Sequence, residues 1–226
     1  MLVINSLCKS FKKKTVLDNV SLEVSSGEII GIVGMNGSGK STMLSILSGV
    51  VKPDSGTFFF NEQNLQTNKK NISSIIGYVP QDTVLLEELT GLDNLKLWYE
   101  PAELKKALNS QSVISMLELQ PFLNKTVSKM SGGMKKRISI ACAVAHSPKI
   151  LLLDEPSTAL DLPCKEKLNN YYKQFALNGG IIIIATHEVQ ELELCTKTFV
   201  LSSGHLNPFE YDGNIQNLIN SIAKEA

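Results

Sequence analysis

Apolar residues along the chain form short continuous runs that predict strands and helically spaced sets that predict helices. Unbroken apolar runs are typical of strands buried on both faces of a parallel sheet. Their alternation with helices predicts an α/β fold, with a mostly parallel sheet covered by helices on both faces. The strand-like runs lie at residues 29–33, 75–79, 149–153 and 181–185, and helical spacing is clearest at 42–47 and 163–177.

The region before the first buried run predicts strands on either side of a polar turn at residues 9–14. This turn is basic and contains one aromatic residue, Phe11. A basic stretch of this kind fits a nucleic-acid contact or a solvated loop, and Phe11 could instead stack on a nucleotide base. The sequence position does not choose among these interpretations.

From about residue 87 to residue 147, the pattern of apolar positions is typical of helices and shows few strand signals. We predict a helical insertion there, closed by a helix over residues 133–145. Residues 61–71 are polar and predict a loop, and the tail after Asp212 has helical spacing. The predicted buried faces contain Leu92, Leu95, Trp98 and Tyr99, and, on the closing helix, Met134, Ile138, Cys142 and Ala145.

A glycine-rich segment joins the strand at residues 29–33 to the helix that follows. This context indicates a phosphate-binding P-loop, because glycines let backbone N–H groups face phosphate oxygens at a helix N-terminus. Lys40 would reach the β- and γ-phosphates of a nucleotide, and the Ser41 hydroxyl would bind Mg²⁺. The predicted phosphate-binding residues are Gly34, Met35, Asn36, Gly37, Ser38, Gly39, Lys40, Ser41 and Thr42.

Polar residues follow directly on other predicted strands, at Gln81, Asp154 and His187. The carboxyl ends of parallel strands share one edge of a sheet, so we expect these side chains beside the P-loop. Asp154 would hold Mg²⁺ opposite Ser41, and Glu155 would orient and deprotonate a water molecule. His187 could touch the γ-phosphate, although a histidine satisfied at a helix N-terminus is the alternative.

Composition narrows the class of protein. The 226 residues fit one domain with 43% hydrophobic residues, and equal numbers of acidic and basic residues argue against nucleic acid as a partner. The four cysteines are widely spaced, which favours reduced thiols over disulfides or a zinc site. We see no signal peptide, and no apolar run approaches the ~20 residues of a membrane span.

Residues Met130 to Met134 read Met-Ser-Gly-Gly-Met and resemble the Leu-Ser-Gly-Gly-Gln signature of ABC transporter ATP-binding subunits. The resemblance covers nearly the whole chain. It implies a P-loop NTPase core with an N-terminal antiparallel β portion and a helical insertion subdomain. It also implies that Ser131, Gly132 and Gly133 bind ATP held by a second subunit. A Ser-Gly-Gly sequence at a helix N-terminus is itself suited to anions.

The resemblance assigns roles to further positions. Phe11 would stack on adenine with Val16 nearby, and Gln81 would sense Mg²⁺ and the attacking water. Asp161 lies in a segment, residues 157–161, that resembles the loop crossing the dimer interface. Met134 departs from the signature glutamine and removes a carboxamide near the nucleotide, worth about 1 kcal/mol. The implied catalytic residues are Glu155, His187 and Gln81; the implied Mg²⁺ ligands are Ser41, Gln81 and Asp154.

The resemblance implies an ATPase with ATP and Mg²⁺ as cofactors, which forms a homo- or heterodimer on binding ATP. It would drive transport, with export favoured, through a separate transmembrane permease at the cytoplasmic face of the membrane. The implied single domain divides into a core (1–86 and 148–212), a helical subdomain (87–147) and a helical tail (213–226). A soluble relative acting on the ribosome or a repair complex is the main alternative, and a small-molecule kinase would lack the signature.

Overall fold

The computed structural model describes residues 1–67, 69–109 and 112–224. Within these ranges the chain alternates between strands and helices, as its apolar pattern predicts. The strands are β1 (Leu2–Phe11), β2 (Lys14–Val24), β3 (Ile29–Val33), β4 (Ser55–Phe60), β5 (Gln63–Asn64), β6 (Ile76–Val79), β7 (Ile150–Asp154), β8 (Ile181–Ala185), β9 (Lys197–Ser202) and β10 (His205–Phe209). The helices are α1 (Lys40–Leu47), α2 (Lys69–Ile75), α3 (Gly91–Lys96), α4 (Pro101–Asn109), α5 (Val113–Met116), α6 (Gly132–Ala143), α7 (Leu162–Leu177), α8 (Val189–Leu192) and α9 (Ile215–Lys224).

The larger sheet has six strands in the order β10-β9-β3-β8-β7-β6. All neighbouring pairs are parallel except the β9–β10 hairpin. Every residue of β3, β7 and β8 is buried, which explains their unbroken apolar sequences. Because β3, β6, β7 and β8 run in one direction, the segments that follow them meet at one edge of the sheet.

The smaller sheet is antiparallel, with strand order β2-β1-β4-β5. Its apolar side chains share one buried cluster with α1 and with one face of the larger sheet. Met43 and Leu44 of α1 contribute to this cluster, together with Phe58 of β4 and Ile183 of β8. The helix after the glycine-rich loop is therefore held between two sheets, and the predicted mostly parallel sheet and antiparallel β portion are both confirmed.

The region between β6 and β7 is helical, as predicted, and packs on the opposite face of the larger sheet. Its buried side chains join those of β7, β8 and α7 in one cluster. Helix α6 lies so close to β6 that a Cβ atom on Gly77 would be 2.3 Å from the carbonyl oxygen of Ala143. The finer division into core, helical subdomain and tail stays a prediction.

Several predicted details are wrong. Trp98 is 56% exposed, because α3 ends at Lys96 and Trp98 leaves the buried face. The polar stretch at 61–71 forms β5, a 3₁₀ turn and the start of α2, so Ile75 ends a helix and does not begin a strand. The helix predicted over 133–145 is α6, and Ala145 beyond its end is only partly buried.

The tail forms α9, as its helical spacing predicts. Leu218 packs with Val33, Leu192 and Val200, so α9 is attached to the larger sheet. Among the residues described above, no helix is both long and apolar enough to cross a membrane.

Candidate functional site

The loop between β3 and α1 has a backbone that only glycine adopts readily. Gly34, Gly37 and Gly39 have φ angles of 154°, 79° and 113°. A Cβ atom on Gly34 would be 2.3 Å from the carbonyl oxygen of Leu201, and one on Gly39 would be 2.9 Å from Val16. These glycines therefore let the loop curl against its neighbours, a geometry that can turn backbone N–H groups toward an anion.

Two polar side chains in this loop indicate what it binds. The Lys40 ammonium is buried and donates to the carbonyl oxygens of Gly34 at 2.6 Å and Met35 at 3.1 Å. Burial lowers the pKa of Lys40, while the charges of Glu155 and Asp154 oppose that shift. The Ser38 hydroxyl is buried, and it has no hydrogen-bond partner among the residues that the structure describes. Because such orphaned groups are rare, a phosphate oxygen is the partner that this cradle fits.

The rest of the predicted phosphate-binding set lies on the same loop and the first turn of α1. Met35, Asn36 and Gly37 are exposed at the tip of the loop, and Thr42 is partly buried in α1. The structure therefore brings together the whole segment from Gly34 to Thr42. Its function as a nucleotide site stays a prediction at the level of individual residues.

Asp154 ends β7 beside the cradle. It is 2% exposed and forms a hydrogen bond with Ser41. Burial raises the pKa of Asp154, and the neighbouring Glu155 adds to the shift, while Ser41, Lys40 and Lys136 oppose it. Among the described residues, no group of three or more His, Cys, Asp and Glu side chains could hold a metal. The oxygen donors fit Mg²⁺, which is typically bound by one or two carboxylates together with substrate phosphates.

Glu155, Gln81 and His187 converge next to Asp154. Glu155 has a φ of 46°, and its N–H donates to the carbonyl oxygen of Ala185 at 2.9 Å. Its carboxylate accepts a hydrogen bond from Gln81 Nε2 at 3.3 Å, and His187 Nε2 lies 4.0 Å from its other oxygen. A non-glycine residue held at positive φ in such a cluster is typical of a functional site.

The side chain of His187 faces the cradle and does not cap a helix. Burial lowers the pKa of His187, Lys40 lowers it further, and Glu155 opposes them. The neighbouring Thr186 forms a local turn, since its hydroxyl accepts from the N–H of Glu188, the N-cap residue of α8, at 2.9 Å. A histidine with a lowered pKa is neutral at pH 7, so its ring N–H can donate to a phosphate oxygen.

The signature-like segment forms a second anion-binding geometry at the N-terminus of α6. Ser131 caps this helix, with its Oγ accepting from the N–H of Met134 at 3.3 Å, and Ser131 and Gly132 are exposed. A Cβ atom on Gly133 would be 2.6 Å from the carbonyl oxygen of Ala159, so Gly133 lets α6 pack on the 157–161 segment. Helix α6 packs on β6, which is three strand positions from β3 and hence about 14 Å away.

Three other predicted binding residues, Asp161, Phe11 and Val16, lie outside the P-loop. Asp161 caps α7 through the N–H of Cys164 at 2.9 Å and pairs with Arg137 at 2.6 Å. Phe11 ends β1, is 48% exposed, and has the Lys9 ammonium 5.3 Å from its ring centroid. Val16 contacts the loop at Gly39. Nucleotide contacts of these side chains stay predictions.

Sequence reasoning missed two buried charged residues near this site. Lys136 is 3% exposed and Glu191 is 2% exposed. Lys136 lies within the basic run 135–137 and Glu191 within the acidic segment 188–193, and neither pattern indicates a buried charge. The one signal for Lys136 is its position one turn before the apolar residue Ile140.

A phosphate cradle between a parallel strand and a helix, with Asp, Glu, Gln and His converging on it, defines a P-loop nucleotide-hydrolysing protein. The family model for the ABC transporter matches residues 17–158. The chain belongs to this family, as an ATP-binding cassette with ATPase activity, and the predicted resemblance to ABC transporter ATP-binding subunits is confirmed.

Curated relatives agree with this assignment. The chain is 32% identical over 210 residues to "Probable sulfate/thiosulfate import ATP-binding protein CysA" of Chlorella vulgaris, covering 91% of this chain and 89% of that one. It is 31% identical over 210 residues to "Linearmycin resistance ATP-binding protein LnrL" of Bacillus subtilis, covering 91% and 68%. It is also 34% identical over 216 residues to "ABC transporter A family member 8" of Arabidopsis thaliana, but spans only 24% of that longer protein.

Solved structures show the same fold. A dimeric ATP-binding cassette, MJ0796, described in a post-hydrolysis state bound to ADP and Pi, matches with a TM-score of 0.82 and 29% identity. That match covers 91% of this chain and 96% of the other. An ATP-binding subunit of an ABC transporter matches over 100% of this chain with a TM-score of 0.85, and at 24% identity it supports the fold alone.

Proposed function

We propose that this cassette pairs head to tail with a second copy or a related cassette and drives transport through a separate membrane subunit. The observation that carries the proposal is that one chain has two separate geometries suited to phosphate, the P-loop after β3 and the exposed N-terminus of α6, which packs on β6 three strand positions away. Its P-loop would hold one ATP, and the exposed N-terminus of α6 would complete the site of the other cassette. The dimeric form of the cassette MJ0796 supports this arrangement.

Each ATP site would draw most of its chemistry from one chain. The P-loop would hold the phosphates, with the Ser38 hydroxyl finding its missing partner there. Ser41, Gln81 and Asp154 would hold Mg²⁺, which would neutralise phosphate charge. Glu155 would accept a proton from the attacking water, and neutral His187 would contact the γ-phosphate.

The second cassette would contribute Ser131, Gly132 and Gly133 to that site. The Ser131 hydroxyl and the first N–H groups of α6 would face the γ-phosphate, where the positive end of the helix dipole stabilises charge. Met134 cannot donate or accept as the usual signature glutamine would. The contact of the second cassette with ATP would therefore rely on the backbone N–H groups of α6 and on the Ser131 hydroxyl.

An apolar surface next to Gln81 is suited to a membrane subunit. Val84 is 80% exposed and Leu86 is 51% exposed, in the segment 82–86 that directly follows Gln81. Asn94 fixes this segment to α3 through both backbone groups of Leu86, at 2.9 Å and 3.1 Å. Leu97 and Trp98, which follow α3, are also exposed, at 59% and 56%. Such a patch beside Gln81 would let a bound subunit sense the ATP site.

We test the membrane partner by purifying the tagged protein from solubilised membranes. The unaltered chain should retain a multi-span membrane protein, and Val84→Asp should lose it at least tenfold while keeping its ATPase activity, because a buried charge opposes docking. The matched control is Val50→Asp, since Val50 is 71% exposed after α1. Retention of the partner by Val84→Asp would refute this surface, and recovery of ribosomes or a repair complex in place of a membrane protein would favour the alternative function.

The proposed direction of transport is export. The relative named for linearmycin resistance supports it, whereas the Chlorella relative is named for import. The cargo would be selected by the membrane subunit, because the exposed cassette surfaces described above serve ATP and docking.

A further inference from the structure

Lys136 is a buried lysine with an unusual partner. Its neighbours in sequence reach surface carboxylates: Lys135 pairs with Glu87 at 2.7 Å, and Arg137 pairs with Asp161 at 2.6 Å. Lys136 is 3% exposed, and among the described residues no carboxylate lies within 4.0 Å of its ammonium group in an ion pair. Burying a lysine is costly unless its protons are bound, so its hydrogen bonds define its role.

The Lys136 ammonium donates to two successive backbone carbonyl oxygens, those of Pro80 at 3.1 Å and Gln81 at 2.9 Å. Both residues belong to the turn that directly follows β6. Burial lowers the pKa of Lys136, while Asp154, Glu155, Asp82 and Glu191 favour its charged form. The lysine therefore connects α6 to this turn by two hydrogen bonds to successive carbonyl oxygens.

Helix α6 is fixed on β6 at its other end as well. The absence of a side chain on Gly77 lets β6 approach the Ala143 carbonyl, where a Cβ atom would be 2.3 Å away. The strand and the helix thus touch by backbone near the end of α6 and through Lys136 near its beginning. The turn carries Gln81, whose side chain donates to Glu155 at 3.3 Å, and α6 begins beside Ser131.

We infer that Lys136 is a positioning residue that ties the Pro80–Gln81 turn to α6. It would keep Gln81, at this chain's own ATP site, in fixed register with Ser131, which serves the ATP site of the second cassette. The inference rests on the proposed head-to-tail pairing for its functional meaning. The physical connection itself rests on the two hydrogen bonds and on the contact between β6 and α6.

The test compares three variants of the full chain. Lys136→Met and Lys136→Gln both shorten the side chain by one atom. The methionine removes every donor, whereas the glutamine keeps N–H donors without the charge. Lys135→Met is the matched control, because it makes the same chemical change one residue away, on a side chain that pairs at the surface. The readouts are kcat, the dissociation constant for ATP, and amide hydrogen exchange in residues 80–86.

We expect Lys136→Met to lower kcat by about tenfold to a hundredfold, as displaced catalytic groups do. Its ATP dissociation constant should stay within about twofold of the unaltered value, because the P-loop is intact and Lys136 acts on positioning. Exchange in residues 80–86 should be faster in this variant. Lys136→Gln should recover most of kcat and protection, and Lys135→Met should resemble the unaltered chain.

Equal kcat and equal exchange in Lys136→Met and Lys135→Met would overturn the inference. A Lys136→Gln variant as impaired as Lys136→Met would also overturn it, since charge would then matter more than donation to the turn. If Lys136→Met fails to fold, the Lys136→Gln result decides alone. An unaltered chain without ATPase activity would refute the proposed function, while the exchange comparison would still test the connection.

Discussion

Gly133 shows how one missing methyl group sets the position of the signature segment. Its neighbour Gly132 is exposed, and a Cβ atom there would be 3.6 Å from the Cβ of Ala159, an ordinary contact. At Gly133 the same atom would be 2.6 Å from the Ala159 carbonyl oxygen. The two adjacent glycines of the signature therefore differ in structural role. Packing against the described residues requires a glycine at position 133 but not at position 132.

Replacing each glycine with alanine tests whether packing requires a glycine at that position. Gly133→Ala should lower the free energy of unfolding by about 1–3 kcal/mol, the usual cost of overpacking. Gly132→Ala should change it by less than about 1 kcal/mol, because alanine favours the helical backbone. Urea unfolding of both variants measures the difference. Equal midpoints would show that the 157–161 segment moves aside without cost.

At the scale of elements, Glu191 connects the segments that follow β7 and β8. Its carboxylate on α8 accepts from the Ser157 hydroxyl at 2.5 Å and from the Thr186 hydroxyl. Ser157 belongs to the 157–161 segment, and Thr186 precedes His187. Burial raises the pKa of Glu191, which both hydroxyls partly offset. One buried acid thus holds the histidine side of the site against the segment that contacts the signature.

Truncating this acid should destabilise the fold. Glu191→Ala should lower the free energy of unfolding at pH 7 by about 2–4 kcal/mol, because it leaves two buried hydroxyls without an acceptor. Glu191→Gln should cost less than half as much, since its amide oxygen still accepts and no charge is buried. Urea unfolding gives both values, and equal losses in the two variants would exclude the hydrogen bonds as the cause.

The same group has a pH signature with a defined sign. Because the pKa of Glu191 is raised in the folded protein, folding favours its protonated form, so its contribution to stability is present below the unfolded pKa of about 4.5 and is lost as pH rises. The Glu191→Gln variant should lack this component of the pH dependence.

For the whole molecule, the sequence predicted the sheet and the loop-to-helix phosphate cradle because both depend on local patterns. The shared edge of the strand ends was enough to predict that Gln81, Asp154 and His187 lie beside the P-loop. The pattern did not predict the exposure of Trp98, since helical spacing says nothing of where α3 ends. The pattern also did not predict that Lys136 and Glu191 are buried. Their hydrogen-bond partners include a carbonyl and a hydroxyl more than 30 residues away in sequence, which only folding brings close.

The central claim is that each ATP site is shared between two chains. Sedimentation velocity on Glu155→Gln, with and without ATP, tests it most directly, because this change removes the proposed base and preserves the shape of the site. We expect no turnover, a mass that doubles when ATP is added, and loss of that doubling in the double variant that also carries Ser131→Arg. A Glu155→Gln protein that binds ATP and stays monomeric at high concentration, or one with unchanged turnover, would contradict the account.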